Sequence, residues 1–302
     1  MNESIQRYFR TGTLNWMSYP PARYDILESV RKIAADPFFT AVEISHIDDV
    51  NVRRQVAEAL RQSGMTVAFG AHPQLLGGHL NPNALNEEDR LRAEQTLLSA
   101  VDEAVEIGAG GIAFLAGPWE EARKEENYAQ LLKTTDAVCR YASDKGLMVE
   151  LEVFDYDVDK KALIGPAPLA ARFAADVRRD HQNFGLLVDL SHIPICHETS
   201  AYTVHTLAPF ITHLYYGNAV LTEGADAYGD MHPCFGYPNG VNGVPELADY
   251  LRVLQAEGFF RPDDPLILSM EVAPRPHQDA DLILANTKRA LARAWAITEE
   301  QT

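Results

Sequence analysis

The chain has 302 residues, 46% of them hydrophobic and 23% charged, and its 26 basic and 43 acidic side chains leave a formal net charge of −17. This length suits one eight-fold α/β barrel, which takes ~250 residues. The composition excludes a disordered chain, and the negative surface argues against nucleic acid as a partner because phosphate backbones are repelled. Cys139, Cys196 and Cys234 lie far apart and form no CxxC pair, as expected of a reducing, cytoplasmic setting. The first ten residues are polar and charged, with no secretory apolar core, and no apolar run approaches the ~20 residues of a membrane span.

Short apolar runs alternate with amphipathic segments from end to end. In chain order, strands are expected over 11–16, 40–45, 66–70, 111–116, 148–153, 185–190, 211–215 and 266–272. Each is rich in Val, Ile, Leu and aromatic residues, the mark of a parallel strand buried on both faces. Helices are expected between them over 50–62, 87–107, 120–143, 167–177, 244–257 and 279–296. The clearest is 87–107, with Leu91, Leu97, Leu98, Val101, Ala104 and Val105 on one stripe and Gly108 just past its end. Repeated strand–helix units with no linker predict a single (β/α)8 TIM barrel over residues 1–302. No G-x-G-x-x-G follows the first strand, which argues against a dinucleotide-binding open sheet. One long connection, 217–244, carries several Gly, Pro and His residues and is expected to serve the site.

In such barrels the active site lies at the C-terminal ends of the strands, so the polar residues that end apolar runs are the informative ones. The fifth strand ends Glu150-Leu151-Glu152-Val153, with both acids on one face because side chains alternate. The sixth ends Val188-Asp189, with His192 three residues on. The seventh contains His213 and the eighth ends Met270-Glu271-Val272. Three carboxylates converging on one mouth would repel one another and raise each other's pKa values, and a divalent cation removes the conflict. Glu152, Asp189, His213 and Glu271 are therefore the expected ligands of one metal ion, with Glu150 as the substitute for Glu152. Three carboxylates and one imidazole suit Mn2+ first, then Mg2+ or Co2+; Zn2+ is less favoured without a thiolate. Trp16, near the end of the first strand, is the aromatic residue expected to stack on a substrate ring. His46 and His72 read as hydrogen-bonded core histidines, His72 also being a candidate substrate contact. Arg275, four residues past Glu271, is placed to meet an anionic substrate group.

At these residues the chain resembles the xylose isomerase-like TIM-barrel superfamily of sugar isomerases and epimerases. The likeness runs over nearly the whole chain: Asn81-Pro82 with Arg90 ahead of the third long helix, the Gly-rich approach to the fourth strand, Glu152, the Asp189-Leu190-Ser191-His192 motif, His213-Leu214 and Glu271. The resemblance implies that Glu152, Asp189, His213 and Glu271 bind the metal. It implies that Glu152 and Glu271 also act as acid and base on opposite faces of a keto-sugar, through an enediolate, and that His192 contacts substrate. After His213 this sequence departs from the family, with Tyr215-Tyr216-Gly217-Asn218, and Asn218 becomes the candidate for the usual substrate contact. Asp230-Met231-His232 resembles an apurinic-endonuclease motif. The fourth strand nevertheless ends Leu115-Ala116-Gly117-Pro118 without the further His that a three-metal nuclease needs, which leaves His232 as a substrate contact or loop residue. Some C-glycoside deglycosidase barrels are also similar, and they imply an alternative, lyase-type cleavage of a 3-oxo-glycoside. The expected partners are thus a small sugar or glycoside, with no nucleic acid and no membrane, and either a second copy of the chain or a small β subunit.

Overall fold

The structure is a computed structural model and describes residues 3–299. Eight parallel strands form one sheet: β1 (Phe9–Thr13), β2 (Ala41–Ile44), β3 (Thr66–Gly70), β4 (Gly111–Leu115), β5 (Met148–Glu152), β6 (Phe184–Asp189), β7 (Ile211–Gly217) and β8 (Leu266–Glu271). Their order, β1-β8-β7-β6-β5-β4-β3-β2, pairs each strand from β2 to β8 with the next in sequence and joins β8 to β1. The remaining seam, between β1 and β2, is drawn together by a Leu14–Glu43 bridge and by the Thr40 N–H donating to the Thr11 carbonyl at 2.8 Å. The result is a nearly closed (β/α)8 barrel wrapped by helices. Among the described residues no helix is long and apolar enough to cross a membrane.

Local chemistry sets the element boundaries. Glu87–Ile107 is helical over the expected span because the Asn86 side chain accepts from the Glu88 and Asp89 N–H groups and Gly108 stops it at φ 79°. Val50–Ser63 starts in the same way at Asp49. The 120–143 segment divides into a 3-10 turn, Glu121–Arg123, and a helix, Lys124–Ser143. Ile26–Ala35, capped by Asp25, is a helix that the apolar pattern did not single out. The first strand lies two residues earlier than expected, because Asn15–Ser18 coils into a helical turn anchored on the Leu14 carbonyl. That turn puts Trp16 across the end of β3. Gly70 is what allows it, since a Cβ there would lie 2.3 Å from the indole.

The barrel interior has two polar layers. In the lower one, His213 on β7 reaches Glu43 on β2 (Nε2–Oε1 3.1 Å) and Glu150 on β5 (Nδ1–Oε2 2.8 Å). Thr212 donates to the other oxygen of Glu150 and Tyr215 to the other oxygen of Glu43, so all four carboxylate oxygens have partners. Burial opposes charging of His213, but Glu43 and Glu150 override it and push its pKa up to about 10. The charged imidazole therefore stabilises the fold fully below its unfolded pKa of about 6.5, and the contribution fades as pH rises through about 10. Replacing His213 with Phe should cost about 3–5 kcal/mol at neutral pH, the scale for stranding buried charge. In denaturant unfolding this deficit should shrink above about pH 10; an equal deficit at both pH values would contradict the assignment.

Candidate active site

The upper layer lies where the strands end. Glu152 closes β5, Asp189 closes β6 and Glu271 closes β8, and all three are buried. One donor atom from each falls within 4.8 Å of the others. Unlike the layer beneath, this one is unsatisfied: Glu152 Oε1, Asp189 Oδ2 and Glu271 Oε2 each lack a hydrogen-bond donor. Burial, followed by the charges of Glu152, Asp189, Asp230 and Glu43, holds the Glu271 carboxyl well above the usual range. Burial likewise pushes Asp189 up to about 6, against the pull of His192 and His232. Buried carboxylates with free lone pairs are the donor set a hard divalent cation requires, so these residues fit a metal.

The long connection after β7 bends back over this cluster. Asn242 ties its ends together, donating to the Leu190 and Gly217 carbonyls, and the His232 carbonyl accepts from the Ala273 N–H at 2.8 Å. His232 is held at φ 44°, a left-handed conformation that costs a non-glycine residue about 1–3 kcal/mol and persists only where its surroundings dictate it. Its Nε2 lies 3.4 Å from Glu271 Oε1 and its Nδ1 3.9 Å from Asp189 Oδ2. Gly217 makes room: a Cβ there would meet the Glu271 carbonyl at 2.7 Å and His232 Nδ1 at 3.4 Å.

Asp230 is the hub of the connection. Its Oδ1 accepts from His192 at 2.9 Å and lies 2.6 Å from His232 Nε2, while its Oδ2 pairs with Lys160 at 2.9 Å. Lys160 comes from the loop after β5. That loop is folded around the buried Asp155 carboxylate, which accepts the N–H groups of Val158, Asp159, Lys160 and Lys161. Above the carboxylates opens a cavity of about 210 Å³ lined by Trp16, His72, Glu152, Phe154, His232 and Glu271, with Lys160 and Asp230 at its side.

The model of the xylose isomerase-like TIM barrel matches residues 32–290. The chain belongs to this family. A D-tagatose 3-epimerase-like protein superposes with a TM-score of 0.73 at 17% identity, over 97% of this chain and 99% of that one. L-ribulose 3-epimerase gives 0.72 at 16% identity, over 97% and 96%. The 3-keto-D-glucoside 4-epimerase of E. coli gives 0.69 at 16% identity, over 95% and 99%. At these identities the likeness is one of fold. A search of curated proteins by sequence gave no match.

Within this xylose isomerase-like barrel, Glu152, Asp189 and Glu271 come together as the sequence reading expected, but His213 does not join them. Strand β7 runs on to Gly217, and the register sets Tyr215 beside Asp189 and Gly217 beside Glu271. His213 therefore lies one layer deeper, with both ring nitrogens committed to Glu43 and Glu150. The imidazoles near the carboxylates are those of His232, of His192 (3.3 Å from Glu152 and 3.6 Å from Asp189) and of His72, and Asp189, His192 and His232 also bring donor atoms within 4.8 Å of one another. His192 packs against Phe154 (ring centroids 4.3 Å apart) and donates to the Val153 carbonyl and to Asp230, so it abuts the cluster without lining the cavity. His72 and Trp16 do line it, and His72 Nε2 lies 2.9 Å from Glu152 Oε2. Asn218 does not, because it is spent inside the loop on Cys234 and Asn242. Arg275 is turned outward onto Asp226 at 2.8 Å.

Sequence reasoning did not single out Glu43, Tyr215 or Lys160. For Glu43 a signal existed, an acid within the apolar run Ala41-Val42-Glu43-Ile44; Lys160 sits in a polar loop with no such mark. Burial disfavours charge on His192, but Asp230 and Asp189 outweigh it and push its pKa up to about 10. In metal-free Asp230→Asn the His192 titration, followed by NMR of the ring carbons, should move down from that value. An unmoved titration would show that Asp230 is not the principal partner.

Proposed function

We propose that this protein is a divalent-metal-dependent sugar isomerase or epimerase that removes a proton from the carbon beside the carbonyl of a keto-sugar. The observation that carries the reading is the set of three buried carboxylates, each with an oxygen that accepts no hydrogen bond, beside a sugar-sized cavity at the strand ends. Glu152, Asp189 and Glu271 would hold the cation, with His232 in place of His213 as the imidazole. A bound divalent cation, Mn2+ first by donor type, would offset the carboxylate repulsion and stabilise negative charge growing on substrate oxygens.

The chain's own groups would do the rest. Glu152 and Glu271 project from β5 and β8, on different sides of the mouth. One takes the proton from carbon and the other returns a proton to the opposite face or to the neighbouring carbon, a contribution of ~10²–10⁴-fold for each positioned group. His72, close to Glu152 Oε2, orients that carboxylate. Trp16 offers an apolar ring face to the sugar's C–H surface, and Phe154, Leu14 and Met17 add apolar wall to the cavity. The names of the structurally similar proteins, two of them 3-epimerases or like one and the third an epimerase of a 3-keto-D-glucoside, support this reaction class. The net charge of −17 and a fourth strand ending without His speak against a nuclease.

Keto-sugars incubated with Mn2+-loaded protein in D2O test the reading. Deuterium should enter at the carbon next to the carbonyl, and Glu152→Gln or Glu271→Gln should each lower the rate by ~10²-fold or more. Failure of every ketose and keto-glycoside to exchange would remove enolisation from the account.

A further inference from the structure

Among the groups lining the carboxylate cavity, one cation has no part in the chemistry above. Lys160 lines that cavity together with Asp230, Trp16 and His232. The turn wound around Asp155 fixes where this lysine leaves the chain, and Lys161 then turns the backbone away at φ 49°. The Lys160 side chain, 22% exposed, meets Asp159 Oδ2 at 3.0 Å and Asp230 Oδ2 at 2.9 Å. Burial opposes its charge, but Asp230 and Asp159 outweigh burial and keep the amine protonated. An ammonium carries three N–H donors. Two are spent on these carboxylates, and among the described residues no further acceptor meets the third. Asp230 is its counterpart. Its Oδ1 faces His192 and His232, whereas Oδ2 meets Lys160 alone and keeps a second lone pair.

We propose that Lys160 and Asp230 bracket one hydroxyl group of the bound sugar, Lys160 Nζ donating to the hydroxyl oxygen and Asp230 Oδ2 accepting its proton. The inference rests on the sugar reading above but not on proton abstraction, since such a bracket needs no carbonyl. Charge and hydrogen bonding select the occupant. The one ammonium already faces two carboxylates, so a phosphate or carboxylate substituent would bring a third negative charge to a poorly hydrated place. An apolar group would leave a donor and an acceptor unpaired. A hydroxyl satisfies both at once. His232 Nε2 lies 2.6 Å from Asp230 Oδ1 and 3.4 Å from Glu271 Oε1, so the bracket flanks the carboxylate cluster without belonging to it. Lys160 thereby sets which sugars are held, by a hydroxyl beyond the reacting carbons, and takes no part in moving the proton.

Crystals of the Mn2+-loaded protein soaked in xylitol, a polyol without a carbonyl, test the bracket directly. In wild type one xylitol oxygen should lie within ~3.2 Å of both Lys160 Nζ and Asp230 Oδ2, and Lys160→Met should lose it. An empty cavity at saturating xylitol, a bound xylitol with no oxygen at that place, or the same oxygen in Lys160→Met would overturn the bracket. Deuterium exchange with D-fructose, D-tagatose, D-psicose and their 4-, 5- and 6-deoxy analogues separates contact from mere support of the loop. One deoxy analogue should show a KM ~10- to 100-fold above its parent with kcat little changed, the scale of one hydrogen bond to a charged group. Lys160→Met should raise the parent's KM by a similar factor and erase its advantage over that analogue. A lysine that only props the loop would weaken parent and analogue alike and leave the deoxy penalty intact, which would overturn the proposal. If no ketose exchanges, the enolisation reading fails and the xylitol density alone decides the bracket.

Discussion

Crowding of negative charge at the open end of the barrel governs the rest of this structure. Glu152, Asp189 and Glu271 are delivered there by three strands whose register fixes their height, and burial removes the water that would screen them. Such a cluster holds together only if protons, cationic side chains or a metal ion offset the repulsion. Burial first, and the neighbouring carboxylates after it, raise the pKa values of Asp189 and Glu271, so protons offset the cluster where no other cation does. His192 and Lys160, both gathered on Asp230, supply positive charge from the side.

The layer beneath makes the contrast plain. Glu43 and Glu150 are as deeply buried, yet His213, Tyr215 and Thr212 give every one of their oxygens a partner. That layer is closed and structural. The upper layer leaves three oxygens without a hydrogen bond, Glu152 Oε1 and Asp189 Oδ2 meeting only ion-pair contacts with histidine, and it opens onto a cavity. Residue types alone do not separate the two; the number of unmet lone pairs does. The long connection after β7 belongs to the upper layer, since its Asp230 and His232 reach the carboxylates while its ends are stitched to the barrel through Asn218 and Asn242.

Much of this was legible in the sequence. Apolar runs located all eight strands, and Gly108 marked the end of the Glu87–Ile107 helix where it falls. Glu152, Asp189 and Glu271 could be found because a charged residue ending a parallel strand is conspicuous. His213 was misplaced for a physical reason. Alternation puts His213 and Tyr215 on the same face, and the pattern alone does not say where the strand stops. Ending β7 at 215 brings His213 toward the mouth, whereas its true end at Gly217 drops the ring one layer. Asn218 and Arg275 were misread because their partners, Asn242 and Asp226, are set by the folded loop and not by local pattern. Lys160 was invisible because its place depends on a turn wound around Asp155.

The most direct test is a crystal structure of the Mn2+-soaked protein, with anomalous difference density collected at the manganese edge. The account predicts a single peak within bonding distance of Glu152, Asp189 and Glu271, with the His232 imidazole beside it and the Glu43–His213–Glu150 layer unchanged. A peak at His213, or no peak among the three carboxylates at saturating Mn2+, would contradict it.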